Sequence, residues 1–332
     1  MAVARISDVA RVAGVSTATV SRVLTGQGTV SDPKSARVWA AVEELGYHAN
    51  RVARRLRAPG KEMWALIVPD IENQFFTSVA RGVEDVASEL GITVFIGNTD
   101  YEEKRLSRYI ETALSEQVGG IILAPGSPHD DISAVVRSGV PLVLVDQRII
   151  DSTVPTITSD HYQGGSMAGT AMRDFGYHRI AVIAGPVREL EWNARLQGLT
   201  DAFEGTDHSI VMVERADNRV GGGREAMARI LDGSSGAEAV FVTNNLMTIG
   251  ALREFDARRM TVPGQFGIVG YDLNSATLSH STPITTVNQD PRAIGREAAR
   301  TLVSGRIGSG DSVLIKLPPV IVLGLGPLSP LQ

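Results

Sequence analysis

Residues 6–24 read ISDVARVAGVSTATVSRVL and predict two short helices joined by a turn. In the first helix, Val9 and Ala13 place small apolar groups on one face. Ser7 is a candidate N-cap, because its hydroxyl can accept a bond from an amide of the first turn. Gly14 permits the turn, since glycine adopts backbone conformations that other residues avoid. The stretch therefore predicts a helix-turn-helix.

The second helix of this motif offers polar side chains to a partner. We expect Ser16 to cap it and Val20, Val23 and Leu24 to point inward. In a helix-turn-helix the second helix enters the major groove of DNA. A pair of helices that only packs is the alternative for this pattern taken alone. The candidate DNA-contacting residues of the helix, most of them expected to point outward, are Ser16, Thr17, Ala18, Thr19, Ser21 and Arg22.

A third helix and a basic segment follow the motif. Pro33 is tolerated in the first turn of a helix, so we expect the third helix to begin at 31–33 and to end at Gly46. Residues 1–60 hold nine Lys and Arg against four Asp and Glu, a net charge of +5, whereas the whole chain carries −5. A basic head on an acidic body is the asymmetry expected when only the head approaches phosphate.

The stretch from Asp8 to Arg57, with its segments DVARVAGVSTATVSRVLTG and LGYHANRVARRLR, resembles the DNA-binding headpiece of the LacI/GalR family of bacterial transcriptional regulators. The rest of the chain resembles the ligand-sensing core of the same family. The resemblance implies that Arg22 reads guanine in the major groove and that Thr17 and Ala18 carry the contacts specific to one operator. Thr19 and Ser21 are expected to bind phosphate through their hydroxyl groups.

Residues 50–60 form the predicted hinge. Alone, so short a segment does not hold a helix and would be a flexible linker. The resemblance implies that two such segments, one from each subunit of a homodimer, fold together in the minor groove at the operator centre. Leu56 would be the apolar wedge between the central bases. The remaining candidate DNA contacts of the hinge are Asn50, Arg51, Arg54, Arg55 and Arg57.

Length and composition restrict the class of protein. At 332 residues and 43% hydrophobic residues, the chain is expected to form two or three globular domains. No apolar run approaches the ~20 residues of a membrane span, and the N-terminus lacks the apolar run of a signal peptide. The absence of Cys excludes disulfides and thiol chemistry. We expect a cytoplasmic bacterial protein associated with the nucleoid, with no membrane partner.

From residue 61 onward, apolar runs alternate with amphipathic segments. The runs, from 64–68 to 267–270, predict buried strands, and the segments, from 75–90 to 290–304, predict helices. Such alternation predicts parallel sheets covered by helices on both faces. The predicted fold class is an N-terminal all-α helix-turn-helix headpiece followed by a two-lobed α/β core that resembles the periplasmic binding proteins. The predicted domains are 1–49 (helix-turn-helix), 50–60 (hinge), 61–161 with 291–319 (N-terminal lobe) and 162–290 with 320–332 (C-terminal lobe).

Polar residues follow several of the predicted strands, and ligands of open α/β sheets bind beyond the carboxyl ends of strands. Asp, Asn, Arg and Gln bind hydroxyl groups by paired donors and acceptors, and aromatic rings supply a stacking face. Arg195 also matches the arginine of an R-x-x-G segment of the family. A turn or loop cap is the alternative for each residue taken singly. The candidate effector-binding residues are Asn73, Phe75, Phe76, Asn98, Gln147, Arg148, Trp192, Arg195, Asn218, Asn245, Asp272 and Gln289.

The sequence departs from the family pattern at three places. Asn245 stands where the family commonly has Asp, so an amide replaces a carboxylate acceptor and the usual sugar-hydroxyl pattern is in doubt. Asn218 stands where some relatives place an aromatic ring over the ligand. The Arg-x-Ser that often follows the last strand reads Leu323-Gly324-Leu325, which alters the coupling of the lobes or leaves the last strand more apolar.

Catalytic patterns are weak. Residues 164–168 (GGSMA) lack the final glycine of a nucleophile elbow, and residues 221–223 (GGG) lack the Lys-Ser/Thr of a phosphate loop. The six His residues do not occur at helical metal spacing. We therefore expect no enzyme activity, no cofactor other than the small-molecule effector, and no metal.

The sequence thus predicts a homodimeric transcriptional regulator, most often a repressor in this family, that binds a pseudo-palindromic operator in double-stranded DNA. A small molecule bound between the lobes, a sugar or sugar derivative, is expected to control that binding, and helix 75–90 is expected to contribute to the dimer. Two alternatives stay open. One is a DNA-binding regulator with a vestigial cleft, and the other is a solute-binding protein for which residues 1–57 serve no DNA function.

Overall fold

The computed structural model describes residues 5–25, 30–45, 63–186, 190–273, 284–304 and 314–324. The chain divides into two compact units, Met1–Lys61 and Glu62–Gln332. Among the described residues, no helix combines the length and the apolar character that crossing a membrane requires.

The described part of the first unit, residues 5–25 and 30–45, contains three helices. Its helices are α1 (Ile6–Ala13), α2 (Thr17–Thr25) and α3 (Asp32–Glu44). Gly14 turns the chain with a left-handed φ of 63°, and the Ser16 hydroxyl accepts a 3.1 Å bond from the amide of Thr19. These features confirm the predicted helix-turn-helix. The apolar core of the unit consists of Val9, Ala10, Ala13, Val20, Val38 and Ala41.

Two details of the first unit differ from prediction. Ser7 does not cap α1, because the N-cap is Arg5, whose amide donates to the Asp8 carboxylate at 2.9 Å. Ser21 does not point outward: it is only 9% exposed, because α2 packs against both α1 and α3. The predicted hinge contacts at 50–57 lie outside the described residues.

The second unit, in the residues that the structure describes, is an α/β core with two six-stranded sheets. The strands are β1 (Met63–Val68), β2 (Thr93–Asn98), β3 (Gly120–Leu123), β4 (Leu142–Val145), β5 (Thr156–Ser159), β6 (Arg179–Ala184), β7 (Ser209–Arg215), β8 (Ala239–Val242), β9 (Gly267–Tyr271), β10 (Thr285–Asn288), β11 (Leu314–Leu317) and β12 (Val320–Val322). The helices are α4 (Gln74–Glu89), α5 (Glu103–Ser115), α6 (Ser133–Ser138), α7 (His161–Asp174), α8 (Leu190–Phe203), α9 (Val220–Asp232), α10 (Asn245–Ala257) and α11 (Pro291–Ser304).

Each sheet forms one lobe. The first sheet has the order β11-β5-β4-β3-β1-β2, and the second has the order β12-β10-β9-β8-β6-β7. Neighbouring strands run parallel except β10 and β12, which pair antiparallel. Helices α4 and α11 cover one face of the first sheet, and α5 and α6 cover the other. Helices α7 and α8 cover one face of the second sheet, and α9 and α10 cover the other. The predicted two-lobed α/β core is confirmed.

The chain passes between the lobes more than once. After β10 in the second sheet it forms α11 on the first lobe, adds β11 to the first sheet and then adds β12 to the second. The structure also contains β5, α6 and β10, which were not predicted. β5 reads TITS and appears polar in sequence, yet all four residues are buried. Its Thr158 hydroxyl donates to the backbone carbonyl of Asp146 at 2.6 Å, which satisfies a polar group inside the lobe.

Among the helices that the structure describes, three pairs pack through glycines at their crossing points. A Cβ atom added to Gly82 in α4 would overlap the carbonyl oxygen of Arg292, and one added to Gly295 in α11 would overlap that of Val79. The backbones therefore approach more closely than any side chain would allow. The other two pairs, in the second lobe, are Gly165 with Gly198 and Gly223 with Gly250.

The packing of α4 on α11 bears on the predicted dimer. The buried face of α4, which includes Val79 and Val83, is covered by α11 of the same chain. Its exposed residues are polar or charged, such as Thr77, Arg81 and Glu84. A contribution of this helix to a dimer stays a prediction, and it would have to use polar contacts.

The glycine crossings give the first testable prediction. We expect Gly295→Ala to lower the free energy of unfolding of the core by about 1–3 kcal/mol, because the added methyl forces the helices apart. Urea unfolding followed by circular dichroism measures the change. The control is Gly221→Ala in α9, where an added Cβ meets no atom within 4 Å. Equal stability of the two variants would contradict the close-packing explanation.

Candidate functional site

A cleft opens where the carboxyl ends of the two sheets face each other. The space between the lining residues is about 510 Å³, including the part open to solvent. Of the predicted effector-binding residues, those that line it are Asn73, Phe75, Phe76, Gln147, Arg195, Asn218, Asn245, Asp272 and Gln289.

Arg195 on α8 is buried, with 4% of its surface exposed. Its Nε and Nη2 atoms lie 3.2 and 3.0 Å from Nδ1 of His161, and Nη1 donates to the carbonyl oxygen of Thr243. Its guanidinium carbon lies 3.8 Å from the centre of the Tyr271 ring. Contacts with three separate elements therefore fix the guanidinium group before any ligand binds.

His161 connects Arg195 to the first lobe. Burial, and next the positive charge of Arg195, hold the pKa of the His161 imidazole well below its usual range, so the ring is neutral. Its Nδ1 accepts from Arg195, so Nε2 carries the proton and donates to the Thr158 hydroxyl at 3.0 Å. Thr158 in turn donates to the backbone carbonyl of Asp146. The 4.0 Å separation between His161 Nε2 and the Asp146 carboxylate is not an ion pair, because the ring is uncharged.

Asp272 is a partly buried carboxylate of the cleft. The amide of Gln289 donates to its Oδ1 at 2.7 Å, and the Gln289 side chain donates to its Oδ2 at 2.5 Å. Burial raises the pKa of the Asp272 carboxyl above its usual range, and the charge of Arg195 and the bonds from Gln289 oppose that rise. The Oε1 atom of Gln289 is buried and accepts no bond within the described part of the chain. The pair therefore offers acceptors to a hydroxyl-rich ligand.

Asn245 bridges the two lobes. Its Nδ2 atom donates to Oδ1 of Asn73 at 2.7 Å, and the same oxygen accepts from the amide of Phe75 at 3.0 Å. The Oδ1 atom of Asn245 accepts from the amide of Leu246 at 2.9 Å. Asp146 and Asp272 therefore supply the carboxylates of the cleft, and the amide at 245 holds the lobes together.

Several lining residues have left-handed backbones. The φ angles of Asp146, Asn218 and Asp272 are 68°, 66° and 52°. Asp146 directly follows β4, Asp272 directly follows β9, and Asn218 lies just beyond β7. Asp and Asn occupy this conformation more readily than other side-chain-bearing residues, and such positions cluster at ligand sites. Asp and Asn at these positions thus tolerate the left-handed backbone and also place polar groups in the cleft.

Phe75 and Phe76 form the apolar wall of the cleft. They lie in the first turn of α4, both are buried, and their rings meet edge to face with centroids 5.1 Å apart. Their position follows from the cap of α4, because Asn73 accepts from the amide of Phe75 at the first turn. A ring face near carboxylate and amide groups is suited to a sugar, which has both apolar C–H and polar O–H groups.

Two of the predicted residues do not line the cleft. Asn98 is engaged between loops, since its Oδ1 accepts from the amide of Ile71 and its Nδ2 donates to Asp100. Arg148 is exposed, because its neighbour Gln147 takes the buried position. The side chain of Trp192 lies outside the described residues.

The prediction also missed part of the lining. Asp146 directly follows β4 and Asn244 lies two residues beyond β8, so the rule of polar residues at strand ends points to both, although neither was among the predicted effector-binding residues. Pro69, Pro125 and Gly126 have no polar side chain, so the same rule does not find them, and no sequence signal distinguished Tyr101. The missed lining residues are Pro69, Tyr101, Pro125, Gly126, Asp146 and Asn244.

Most of the residues predicted to contact DNA from α2 are exposed. Ser16, Thr17, Ala18 and Arg22 are exposed, and Thr19 is partly exposed. They occupy the first turns of the helix, which is the part that reaches base edges in this motif. Their roles in DNA binding stay predictions.

Asp272 gives a pH-dependent prediction. Because folding raises the pKa of its carboxyl, the folded chain keeps this proton at pH values where the unfolded chain has released it. The contribution of Asp272 to stability is therefore largest below the unfolded pKa of about 3.9 and is lost as pH rises through the folded pKa. Each unit by which folding raises the pKa is worth about 1.4 kcal/mol.

We therefore expect the free energy of unfolding of Asp272→Asn, relative to that of the wild type, to increase between about pH 4 and pH 7. Urea unfolding at several pH values measures it. The subtraction cancels the contributions of Asp85, Asp232 and Glu254, whose pKa values are lowered by arginine partners and which act in the opposite direction. A relative stability that is constant or falls with pH would contradict the assignment.

Two family descriptions match the chain. Residues 5–50 match "Bacterial regulatory proteins, lacI family", and residues 64–306 match "Periplasmic binding protein domain". The transcriptional regulator DegA of Bacillus subtilis is 31% identical over 329 residues, which cover 96% of each chain. The ribose operon repressor of Escherichia coli is 30% identical over 90% of this chain and 92% of its own.

Solved structures agree on the fold. The lac repressor dimer bound to operator and the anti-inducer ONPF aligns with a TM-score of 0.86 at 23% identity, covering 99% of this chain and 100% of that one. A complex of the transcriptional regulator CelR with cellobiose aligns with a TM-score of 0.70 at 29% identity, covering 97% and 99%. The chain belongs to the LacI family of bacterial regulatory proteins and is a DNA-binding transcriptional regulator.

Proposed function

We propose that the chain is a homodimeric repressor whose affinity for a pseudo-palindromic operator is set by a monosaccharide or a close derivative bound between the lobes. The observation that carries the proposal is the pairing of the buried, fixed Arg195 with the partly buried Asp272 in one cleft. Each sugar hydroxyl both donates and accepts, so a site for it needs charged or amide groups of both kinds at fixed positions.

The names of the relatives narrow the class of ligand. Ribose operon repressors of Escherichia coli and Bacillus subtilis are 30% and 31% identical to this chain. A ribose-bound regulator from Enterococcus faecium shares the fold, with a TM-score of 0.70. Ribose is therefore the first ligand to test, followed by other monosaccharides and by cellobiose.

The rival proposal is a DNA-binding regulator whose cleft no longer binds an effector. It is based on the amide of Asn245, which replaces the carboxylate acceptor common in the family. The position of Asn245 weakens that argument, because its side chain donates to Asn73 across the cleft. The cleft keeps two carboxylates, those of Asp146 and Asp272. A solute-binding protein without DNA function is disfavoured by the match of residues 5–50 to the regulator family.

The test is a thermal-shift screen of the full chain with ribose, other monosaccharides, sugar phosphates and nucleobases. A ligand present at ~100 times its dissociation constant stabilises the folded chain by about 2.7 kcal/mol. Operator binding is then measured with and without the ligand that stabilises. If no member of the screen stabilises the chain, the vestigial-cleft proposal replaces this one.

Gln147 and Arg148 form a matched pair for this test. They are adjacent, but only Gln147 lines the cleft, while Arg148 is exposed. We expect Gln147→Ala to weaken ligand binding about 2- to 12-fold, the loss of one hydrogen bond, and Arg148→Ala to leave it unchanged. Isothermal titration calorimetry measures both. Equal effects of the two substitutions would place the ligand elsewhere.

Arg22 is the proposed base reader of the first unit. We expect Arg22→Ala to cost about 1–3 kcal/mol of operator binding and to relax the preference for guanine at one position of each half-site. Arg11→Ala is the control, because this exposed arginine lies on α1 and can contact only the DNA backbone. A gel-shift series over single base substitutions separates the two. If Arg22→Ala weakened every sequence equally, the guanine assignment would be wrong.

A further inference from the structure

Three side chains with metal-binding atoms meet at the edge of the second lobe opposite the cleft. His178 directly precedes β6, and Asp207 and His208 directly precede β7. The two strands are parallel neighbours, with Arg179 paired to Ser209. Both histidines therefore lie at the amino ends of adjacent strands, whereas the cleft lies at the carboxyl ends. Metal spacing along a single helix does not reveal such a group, because its ligands come from two strands.

The ligand atoms already converge. Asp207 lies between the imidazoles, with Oδ2 at 3.2 Å from Nδ1 of His178 and Oδ1 at 3.1 Å from Nδ1 of His208. One ligand atom from each of the three residues lies within 4.8 Å of the other two. The two rings stack with centroids 4.7 Å apart. A small movement of side chains brings the atoms to the ~2.0–2.2 Å at which Zn²⁺ binds nitrogen and oxygen.

The backbone around the group is anchored. Glu238 accepts from the amides of His178 and Arg179, at 2.8 and 3.3 Å. The amide of Ser209 donates to the carbonyl oxygen of His178 at 2.8 Å. The ring of His208 also stacks on Phe203, with centroids 5.7 Å apart. Binding a metal ion would therefore order mainly the exposed Asp207 carboxylate and the His178 ring.

The accessibility of the group suits an ion from solution. The side chains of Asp207 and His178 are 76% and 49% exposed, and that of His208 is 11% exposed. An incoming ion can approach from the Asp207 side, and water can complete its coordination. The Thr206 hydroxyl, at 3.2 Å from Nδ1 of His208, is a neutral neighbour that the ion would displace from that nitrogen.

We propose that His178, Asp207 and His208 bind one divalent first-row transition metal ion, of which Zn²⁺ is the representative. Two imidazole nitrogens and one carboxylate favour Zn²⁺, Ni²⁺ or Cu²⁺ over Mg²⁺ and Ca²⁺, which prefer oxygen ligands. The ion would join the beginnings of β6 and β7 to the loop before β7. It stabilises the second lobe by cross-linking these segments and does not contact the effector cleft.

The buried His161 is not an alternative site. Its Nδ1 accepts from Arg195 and its Nε2 donates to Thr158, so both ring nitrogens are engaged. The exposed His129 lies in a loop of the first lobe and is not a member of the group. It serves as the matched control for an exposed histidine.

The experiment uses the full chain without a polyhistidine tag, freed of metal by dialysis against EDTA. Zn²⁺ is titrated in competition with a chromogenic chelator. We expect one equivalent of Zn²⁺ per chain, an affinity at least about tenfold weaker in His178→Gln and in Asp207→Asn, and no change in His129→Gln. Co²⁺ in place of Zn²⁺ gives visible absorption bands that report coordination by nitrogen and oxygen in the wild type.

Both substituted side chains are exposed, so the metal-free variants are expected to unfold at the wild-type temperature. Zn²⁺ should raise the melting temperature of the wild type and of His129→Gln more than that of the other two variants. The proposal is overturned if the wild type binds less than one equivalent, or if all four proteins bind Zn²⁺ with the same affinity. Equal competition by Mg²⁺ would also overturn it.

Discussion

The burial of one positive charge organises the second lobe. A guanidinium group removed from water is unfavourable unless its donors are bonded and its charge is compensated. Arg195 meets this requirement with the neutral ring of His161 from α7, the Thr243 carbonyl beyond β8 and the face of Tyr271 at the end of β9. These partners come from three elements, so the charge is satisfied only when the whole lobe is assembled. The same requirement leaves the arginine fixed at the floor of the cleft.

The close crossing of α7 and α8 makes this arrangement possible. In α8, Gly198 lies one turn beyond Arg195 and packs on the carbonyl oxygen of Tyr162, while Gly165 in α7 packs on the carbonyl oxygen of Arg195. Residues three apart lie on the same face of a helix, so the R-x-x-G spacing puts the charge and the point of contact together. A larger residue at 198 would move α8 outward and carry the guanidinium group away from His161.

Features set by neighbouring residues in the sequence could be predicted, whereas features set by contacts between distant segments could not. Periodic apolar residues predicted most helices and strands, because burial of one face is a local property. The strand β5 was missed because its Thr and Ser residues are buried through bonds to distant backbone groups, such as that of Thr158 to Asp146. The rule that ligands bind beyond the carboxyl ends of strands predicted much of the lining of the cleft. Whether Gln147 or Arg148 points into it depends on the local backbone, since the preceding Asp146 has a left-handed φ.

Asn245 shows how one departure from a family pattern changes the energetics of a switch. Its amide donates across the cleft to Asn73, whereas a carboxylate there would face the Asn73 oxygen that already accepts from Phe75. The bond stabilises contact between the lobes by about 0.5–1.5 kcal/mol without any ligand. An effector changes DNA affinity only through its unequal affinity for the two lobe arrangements. The Asn245–Asn73 bond favours the arrangement in which the lobes touch, so the equilibrium is biased before any effector binds.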